Sequence, residues 1–125
     1  MAVSGIGKYD PENIFAKILR GEIPCKKVFE NDYVLAFHDI APKAPVHVLV
    51  IPKGPYVSFA DFTQRASDKE IVGFNKAVGD VARMFRLDEP GYRMIGNVGQ
   101  DSGQEVPHFH VHILGGRPLG PMLAE

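Results

Sequence analysis

The 125-residue sequence lacks the features that several classes of protein require. Its single cysteine, Cys25, excludes an internal disulfide and a cysteine-rich zinc site. No apolar run approaches the length of about 20 residues that a transmembrane helix needs, and residues 1–9 lack the pattern of a signal peptide. The 14 basic and 15 acidic residues are interspersed, which argues against a nucleic-acid-binding patch. We therefore expect a cytoplasmic protein without a membrane or nucleic-acid partner.

The length and the apolar fraction of 45% are those of one domain with one core, residues 1–125. Asp10-Pro11 predicts the start of a helix of about ten residues, and Ser67 with Glu70 predicts a capping box before a helix of about twenty. Between the two helices, residues 52–66 are expected to be irregular. Strands are predicted at 26–30, 33–39, 46–51, 92–98 and 108–112.

These elements predict an α+β fold with two helices and a five-stranded, mostly antiparallel sheet. Residues 1–9 are expected to form a flexible N-terminus. Residues 117–125 show little pattern and are expected to form an irregular tail.

Three of the five histidines alternate with apolar residues in the run His108-Phe109-His110-Val111-His112-Ile113. Alternation of period two is typical of a strand with one buried face. On a strand the three imidazoles would share the other face, roughly 6.5–7 Å apart from one to the next. The sequence therefore predicts a row of imidazoles on a rigid element.

The histidine row fits two kinds of chemistry. Alternate histidines on a strand can bind zinc, and a neutral imidazole can attack phosphorus while a protonated one serves the leaving group. The preceding loop favours the second, because Gly99 and Gly103 allow backbone N–H groups to surround an anion. His47, on the third predicted strand, is a further candidate. If Asp39 faces a ligand, the adjacent His38 faces away and is structural.

The triad and the residues after it, Leu114-Gly115-Gly116-Arg117, resemble the histidine triad motif of the HIT superfamily, and in particular its nucleotide-binding branch. Further blocks match in order, among them Ala36-Phe37-His38-Asp39-Ile40 and the run from Pro45 to Lys53. The similarity spans nearly the whole chain. It implies a HIT-like fold and a homodimer whose sheets join across the interface.

The resemblance also implies a function. The chain would bind a purine nucleoside monophosphate or its conjugates, and would cleave purine nucleoside phosphoramidates through a nucleotidyl-histidine intermediate, without metal or cofactor. Dinucleoside polyphosphate hydrolysis and nucleotidyl transfer are the nearest alternatives within the superfamily. A regulatory nucleotide-binding protein with little catalysis and a zinc protein remain alternatives of other classes.

The resemblance also implies a role for each residue that matches the motif of the family by position. His110 would be the nucleophile and His112 would serve the leaving group, while His47 and His108 would orient the central imidazole. Asp39 would hold the ribose hydroxyls. The nucleotide pocket would also include Ile14, Phe15, Ile18, Phe37, Ile40 and Leu49, and the phosphate would meet Asn97, Gly103, Gln104, Glu105, His110 and His112.

The sequence departs from the resemblance at three places. Glu105 stands where some relatives carry a serine, so only its backbone N–H is assigned to phosphate. Pro107 lacks an N–H and is expected at a strand start or edge. The tail lacks the tryptophan of some relatives, so the resemblance does not define the leaving group.

Overall fold

In a computed structural model, which describes residues 3–124, the chain forms five strands and three helices. The strands are β1 (Lys27–Glu30), β2 (Val34–His38), β3 (Val46–Pro52), β4 (Tyr92–Ile95) and β5 (Val111–Gly115), and the helices are α1 (Ile14–Leu19), α2 (Phe59–Arg65) and α3 (Asp68–Met84). All neighbouring strands are antiparallel, in the order β1-β2-β3-β5-β4. The predicted α+β class and five-stranded sheet are confirmed. Among residues 3–124, no helix has both the length and the apolar character needed to cross a membrane.

The prediction of two helices is wrong, because α2 occupies part of the stretch 52–66 that was expected to be irregular. Ser58 caps this helix, and its side chain accepts from the backbone N–H of Asp61. Arg65 pairs with the Asp61 carboxylate one turn later, and Phe62 is buried in the core. Only two turns long, α2 owes its stability to the burial of Phe62 more than to propensity.

The first helix is shorter than predicted. It has six residues and its N-cap is Asn13, whose side chain accepts from the N–H of Ala16 at 2.9 Å. Asp10 instead stabilises the preceding turn by accepting from the N–H of Glu12. The capping box of α3 is confirmed, with Ser67 and Glu70 bonded reciprocally.

The two faces of the sheet belong to two apolar clusters. The larger cluster joins the sheet to α2 and α3, and includes Val48 and Val50 of β3. The smaller cluster lies on the opposite face, where Phe15 of α1 packs with Leu49 and Ile51. Strand β3 therefore alternates between the clusters, which places His47 on the α1 side with Leu49.

The predicted histidine strand begins later than expected. Strand β5 starts at Val111, so residues 108–110 lie before it and are unpaired in the sheet. Pro107 removes one donor, and the N–H of Phe109 donates instead to the carbonyl of Tyr56 at 2.7 Å. The alternation of faces still holds, because Phe109 joins the larger cluster while His110 faces α1.

Candidate active site

A pocket of about 140 Å³ opens on the α1 side of the sheet. Its lining residues are Phe15, Asp39, Leu49, Asn97, Gly103, Glu105, Val106, His110 and His112. All but Val106 are candidates from the sequence. Val106 is not among those candidates, although it adjoins the candidate Glu105.

His47 and His108 lie behind this pocket and are both buried. His47 is within hydrogen-bond distance of His112, and the carbonyl of His108 lies 2.7 Å from Nδ1 of His110. The rings of His110 and His112 are adjacent, with centroids 5.1 Å apart. The structure therefore brings all four predicted histidines into one connected group.

The remaining apolar candidates do not line the pocket. Phe37 is buried against Phe15, with ring centroids 5.6 Å apart. Ile14 is 45% exposed on α1, and Ile18 lines a separate cavity of about 400 Å³. Ile40 is 97% exposed in the turn after β2. A base in contact with Ile14 and Ile40 would therefore lie outside the pocket.

The hydrogen bonds around His47 fix two tautomers. The backbone N–H of Lys43 donates to Nδ1 of His47 at 3.0 Å, so the ring proton of His47 is on Nε2. That Nε2 lies 2.9 Å from Nδ1 of His112. Since His47 donates in this contact, Nδ1 of His112 accepts and its ring proton lies on Nε2. His112 thus has a donor on the side of the ring away from His47.

The tautomer of His110 is fixed the opposite way. Its Nδ1 lies 2.7 Å from the carbonyl oxygen of His108, and a carbonyl can only accept. Nδ1 therefore carries the proton, and Nε2 of His110 keeps a lone pair. The central histidine presents a nucleophilic nitrogen and its neighbour His112 presents an N–H.

Both Nε2 atoms are reachable from the pocket. Within residues 3–124, neither Nε2 of His110 nor Nε2 of His112 has a hydrogen-bond partner. Every fully buried side-chain nitrogen or oxygen of the described chain does have one. The two Nε2 atoms are therefore solvent-accessible, and both residues line the pocket.

Burial keeps the four imidazoles neutral. It lowers the pKa of His112 to about 4, with further lowering from His110 and His47, and it lowers the pKa of His108 to about 4. The pKa values of His110 and His47 are also lowered, mainly by burial, although the Asp39 carboxylate opposes the shift. At neutral pH the pocket thus offers a lone pair and an N–H without charge on either ring.

Asp39 is one of two acidic residues that line the pocket. One oxygen accepts from the N–H of Ala41 at 2.8 Å, and the other lies 3.4 Å from Nε2 of His47. Asp39, His47 and His112 place one potential ligand atom each within 4.8 Å of one another, so these three could hold a metal ion. Such an ion would have to displace the hydrogen bond between the two imidazoles.

His38 lies on the other face, as the alternation predicted. Its ring packs edge-on against Phe85, with centroids 5.8 Å apart. It is exposed and does not line the pocket.

The loop 99–104, from which the sequence predicts backbone contacts to phosphate, contributes Gly103 to the pocket. Gly99 and Gly103 both have φ of +76°, a conformation that favours glycine. The buried side chain of Gln104 holds the loop closed by accepting from the N–H of Gly99 and donating to the carbonyl of Val57. The Gln104 side chain is thus structural, whereas Gly103 and Glu105 line the pocket.

A model of the HIT domain family matches residues 20–119. The chain belongs to the HIT family. The histidine group, the glycine loop and Asp39 therefore lie in a HIT domain, and the resemblance of the triad motif is confirmed.

Relatives and a solved structure agree with this assignment. The chain is 60% identical to an uncharacterized HIT-like protein of Azospirillum brasilense, over 94% of this chain and 96% of that protein. It is 46% identical to a purine nucleoside phosphoramidase of Escherichia coli, over 90% of this chain and 94% of that enzyme. A histidine triad protein from Clostridium difficile superposes with a TM-score of 0.80 at 42% identity, covering 93% and 100% of the two chains.

Proposed function

We propose that this HIT chain is a hydrolase that cleaves purine nucleoside phosphoramidates to a nucleoside monophosphate and an amine. The observation that carries the proposal is the fixed tautomer of His110, whose Nδ1 donates to the His108 carbonyl and whose Nε2 is accessible. The 46% identity to a phosphoramidase over nearly both chains supports the same chemistry.

The reaction would be a double displacement. Nε2 of His110 attacks phosphorus and the P–N bond breaks. A water molecule that accepts from the Nε2–H of His112 gives a proton to the departing nitrogen, which leaves as the amine. The hydroxide that remains attacks phosphorus, and the bond between phosphorus and His110 breaks to release the nucleotide. Imidazoles and backbone donors would meet the phosphate charge without a metal or cofactor.

The other pocket residues would hold the nucleotide. Asp39 would accept from the ribose hydroxyls, since an ionised carboxylate only accepts. The ribose and base would lie against Phe15 and Leu49 of the pocket, and the base would extend to Ile14 and Ile40 outside it. Phe37 would support Phe15 from the core, and Ile18, which lines a separate cavity, would not contact the nucleotide. The phosphate would meet His110 and His112, with Asn97 and the backbone of Gly103, Gln104 and Glu105 beside them.

We further propose that the chain is a homodimer joined through β4. This strand forms one edge of the sheet, and its Met94 is 59% exposed. Next to it lies an apolar groove of about 400 Å³ whose walls include Phe59 and Ile71. The opposite edge, β1, instead carries the ion pair of Lys27 and Glu30, a common protection against strand pairing.

A panel of substrates with mass detection of the covalent intermediate tests the activity. Adenosine and guanosine phosphoramidates are offered beside dinucleoside polyphosphates. The enzyme is then denatured in alkali, in which a bond between phosphorus and imidazole survives, and is digested to locate the added nucleotidyl group. We expect phosphoramidate turnover and a nucleotidylated His110. Polyphosphate cleavage alone would favour the alternative reaction within the superfamily.

His110→Ala is the decisive variant. We expect turnover to fall by at least about 10³-fold, because the nucleophile is lost, while nucleotide binding is retained. His38→Ala is the matched control, since this histidine lies on the other face. An unchanged rate in His110→Ala would refute the nucleophile assignment.

The same measurements distinguish the enzyme from the two remaining alternatives, a regulatory nucleotide-binding protein and a zinc protein. Nucleotide binding without turnover of any phosphoramidate would indicate a regulatory protein. The cluster of Asp39, His47 and His112 makes zinc a specific alternative. Stoichiometric zinc by elemental analysis, together with loss of activity in chelator, would favour it.

A further inference from the structure

The N-terminal segment, residues 3–9, is attached to the back of the histidine group. The hydroxyl of Tyr9 lies 2.7 Å from Nδ1 of His108, 99 positions along the chain, and the two rings meet edge to face with centroids 5.6 Å apart. Nearer the terminus, the carbonyl of Gly5 accepts from the hydroxyl of Ser58 at 2.6 Å. The segment is thus held at two points.

The direction of the contact with His108 follows from its second nitrogen. Nε2 of His108 lies 2.8 Å from the carbonyl oxygen of Pro52, so Nε2 carries the ring proton. Nδ1 is therefore the acceptor and the Tyr9 hydroxyl is the donor. His108 is fully buried, and a buried ring nitrogen left without a partner is costly. Within residues 3–124, Tyr9 supplies the partner of Nδ1.

The position of His108 matters because residues 108–110 precede β5 and lack the support of strand pairing. The carbonyl of His108 accepts the Nδ1 proton of His110 at 2.7 Å. The ring of Phe15 packs against both imidazoles, with centroids 6.3 Å from His108 and 5.0 Å from His110. A shift of His108 would therefore move both the acceptor and the packing surface of His110.

We propose that Tyr9 is a positioning residue for the reaction: its hydroxyl holds the His108 ring, and His108 in turn holds His110 in the tautomer and orientation needed for attack. This inference rests on the proposed function, in which Nε2 of His110 is the nucleophile. Burial raises the pKa of Tyr9, so its hydroxyl stays protonated and remains a donor at neutral pH.

Tyr9→Phe separates this role from simple packing, because phenylalanine keeps the ring and removes only the donor. The matched control is Tyr56→Phe, which removes the hydroxyl of a buried tyrosine that donates to Glu70 at 2.7 Å. Both variants lose one half-buried hydrogen bond, but only Tyr9 contacts the triad through its hydroxyl.

We expect kcat of Tyr9→Phe to fall on the order of tenfold, as is typical when an outer residue that orients a reacting group is lost. KM and nucleotide affinity should change by less than about twofold, because Tyr9 does not line the pocket. Tyr56→Phe should keep its kcat. Unchanged kcat in Tyr9→Phe, or an equal fall in both variants, would overturn the proposal.

A spectroscopic measurement tests the hydrogen bond without relying on turnover. In protein labelled with ¹⁵N in its histidines, we expect His108 to show a protonated Nε2 and an unprotonated Nδ1 that accepts a hydrogen bond. In Tyr9→Phe the Nδ1 resonance should move to that of a ring nitrogen without a hydrogen bond. A protonated Nδ1 in the wild-type protein would overturn the proposal, whereas absence of wild-type turnover would count against the proposed function.

Discussion

The Nε2–H of His47 donates to Nδ1 of His112 at 2.9 Å, and this contact links a buried strand residue to an atom of the pocket. His47 is held in turn by the backbone N–H of Lys43. The backbone N–H of Lys43 therefore determines, through His47, that the ring proton of His112 lies on Nε2 and faces the pocket. His110 has the opposite tautomer. The two neutral rings therefore offer a lone pair on Nε2 of His110 and an N–H on Nε2 of His112.

These neutral rings predict the pH dependence of the reaction. Attack requires the unprotonated Nε2 of His110, whose pKa is lowered from the ordinary value of 6.5, mainly by burial. We expect kcat/KM, which reports the free enzyme, to be constant near pH 7. It should fall as the pH is lowered and His110 becomes protonated, with a midpoint below pH 6.5. The measurement is kcat/KM from pH 4.5 to pH 8. A midpoint at or above pH 6.5 would mean that His110 is not the neutral nucleophile.

Asp39 predicts selectivity for ribose. Removal of a charged acceptor from a hydrogen bond costs about 1.5–3 kcal/mol, or roughly tenfold to 100-fold in affinity. We expect Asp39→Asn, which keeps an oxygen for the N–H of Ala41, to weaken binding of a nucleoside monophosphate by this factor. Binding of the 2′,3′-dideoxy analogue and of inorganic phosphate should change little. Calorimetric titration measures all three, and equal losses would argue against a ribose contact.

Glu105 predicts a binding penalty specific to this chain. Glu105 lines the pocket in which we propose that the phosphate binds and, among the described lining residues, no lysine or arginine offsets its charge. At a partly solvated separation of several ångströms, the repulsion of a phosphate charge costs about 0.5–1 kcal/mol. We expect Glu105→Gln to bind nucleoside monophosphate about threefold more tightly, with a gain that shrinks as salt screens it.

Glu89→Gln is the control for net charge, because Glu89 is exposed and does not line the pocket. A similar gain in both variants would attribute the effect to overall charge. Unchanged affinity in Glu105→Gln would show that the carboxylate points away from the anion, as the sequence assignment of its backbone N–H allows.

The sequence predicted the composition of the site better than its local structure. Alternation in residues 108–113 correctly separated the histidines from the apolar core, since faces depend only on the period. The start of β5 and the tautomers could not be predicted, because they depend on partners distant in sequence, such as Pro52 and Tyr56. Tyr9 was overlooked for the same reason: nothing in residues 1–9 indicates a contact 99 positions away.

Helix α2 shows a different limit. Pro52, Gly54 and Pro55 are strong turn signals, and they concealed a helix that begins only at Phe59. Two turns are too short for helical periodicity to be read with confidence from sequence, and the burial of Phe62 is a property of the assembled core. Short helices held by tertiary packing are thus the part of the fold that pattern analysis misses most easily.

The last prediction concerns the open edge of the sheet. If β4 pairs with the same strand of a second copy, a charge at Met94 would be buried without a partner, and buried unpaired charge is strongly unfavourable. We expect the wild-type protein to have twice the monomer mass of 13.8 kDa by light scattering, and Met94→Glu to be monomeric at the same concentration. Ile6→Glu is the control, since Ile6 is exposed outside the sheet and should leave the dimer intact. A monomeric wild type, or a dimeric Met94→Glu, would show that β4 is not the interface.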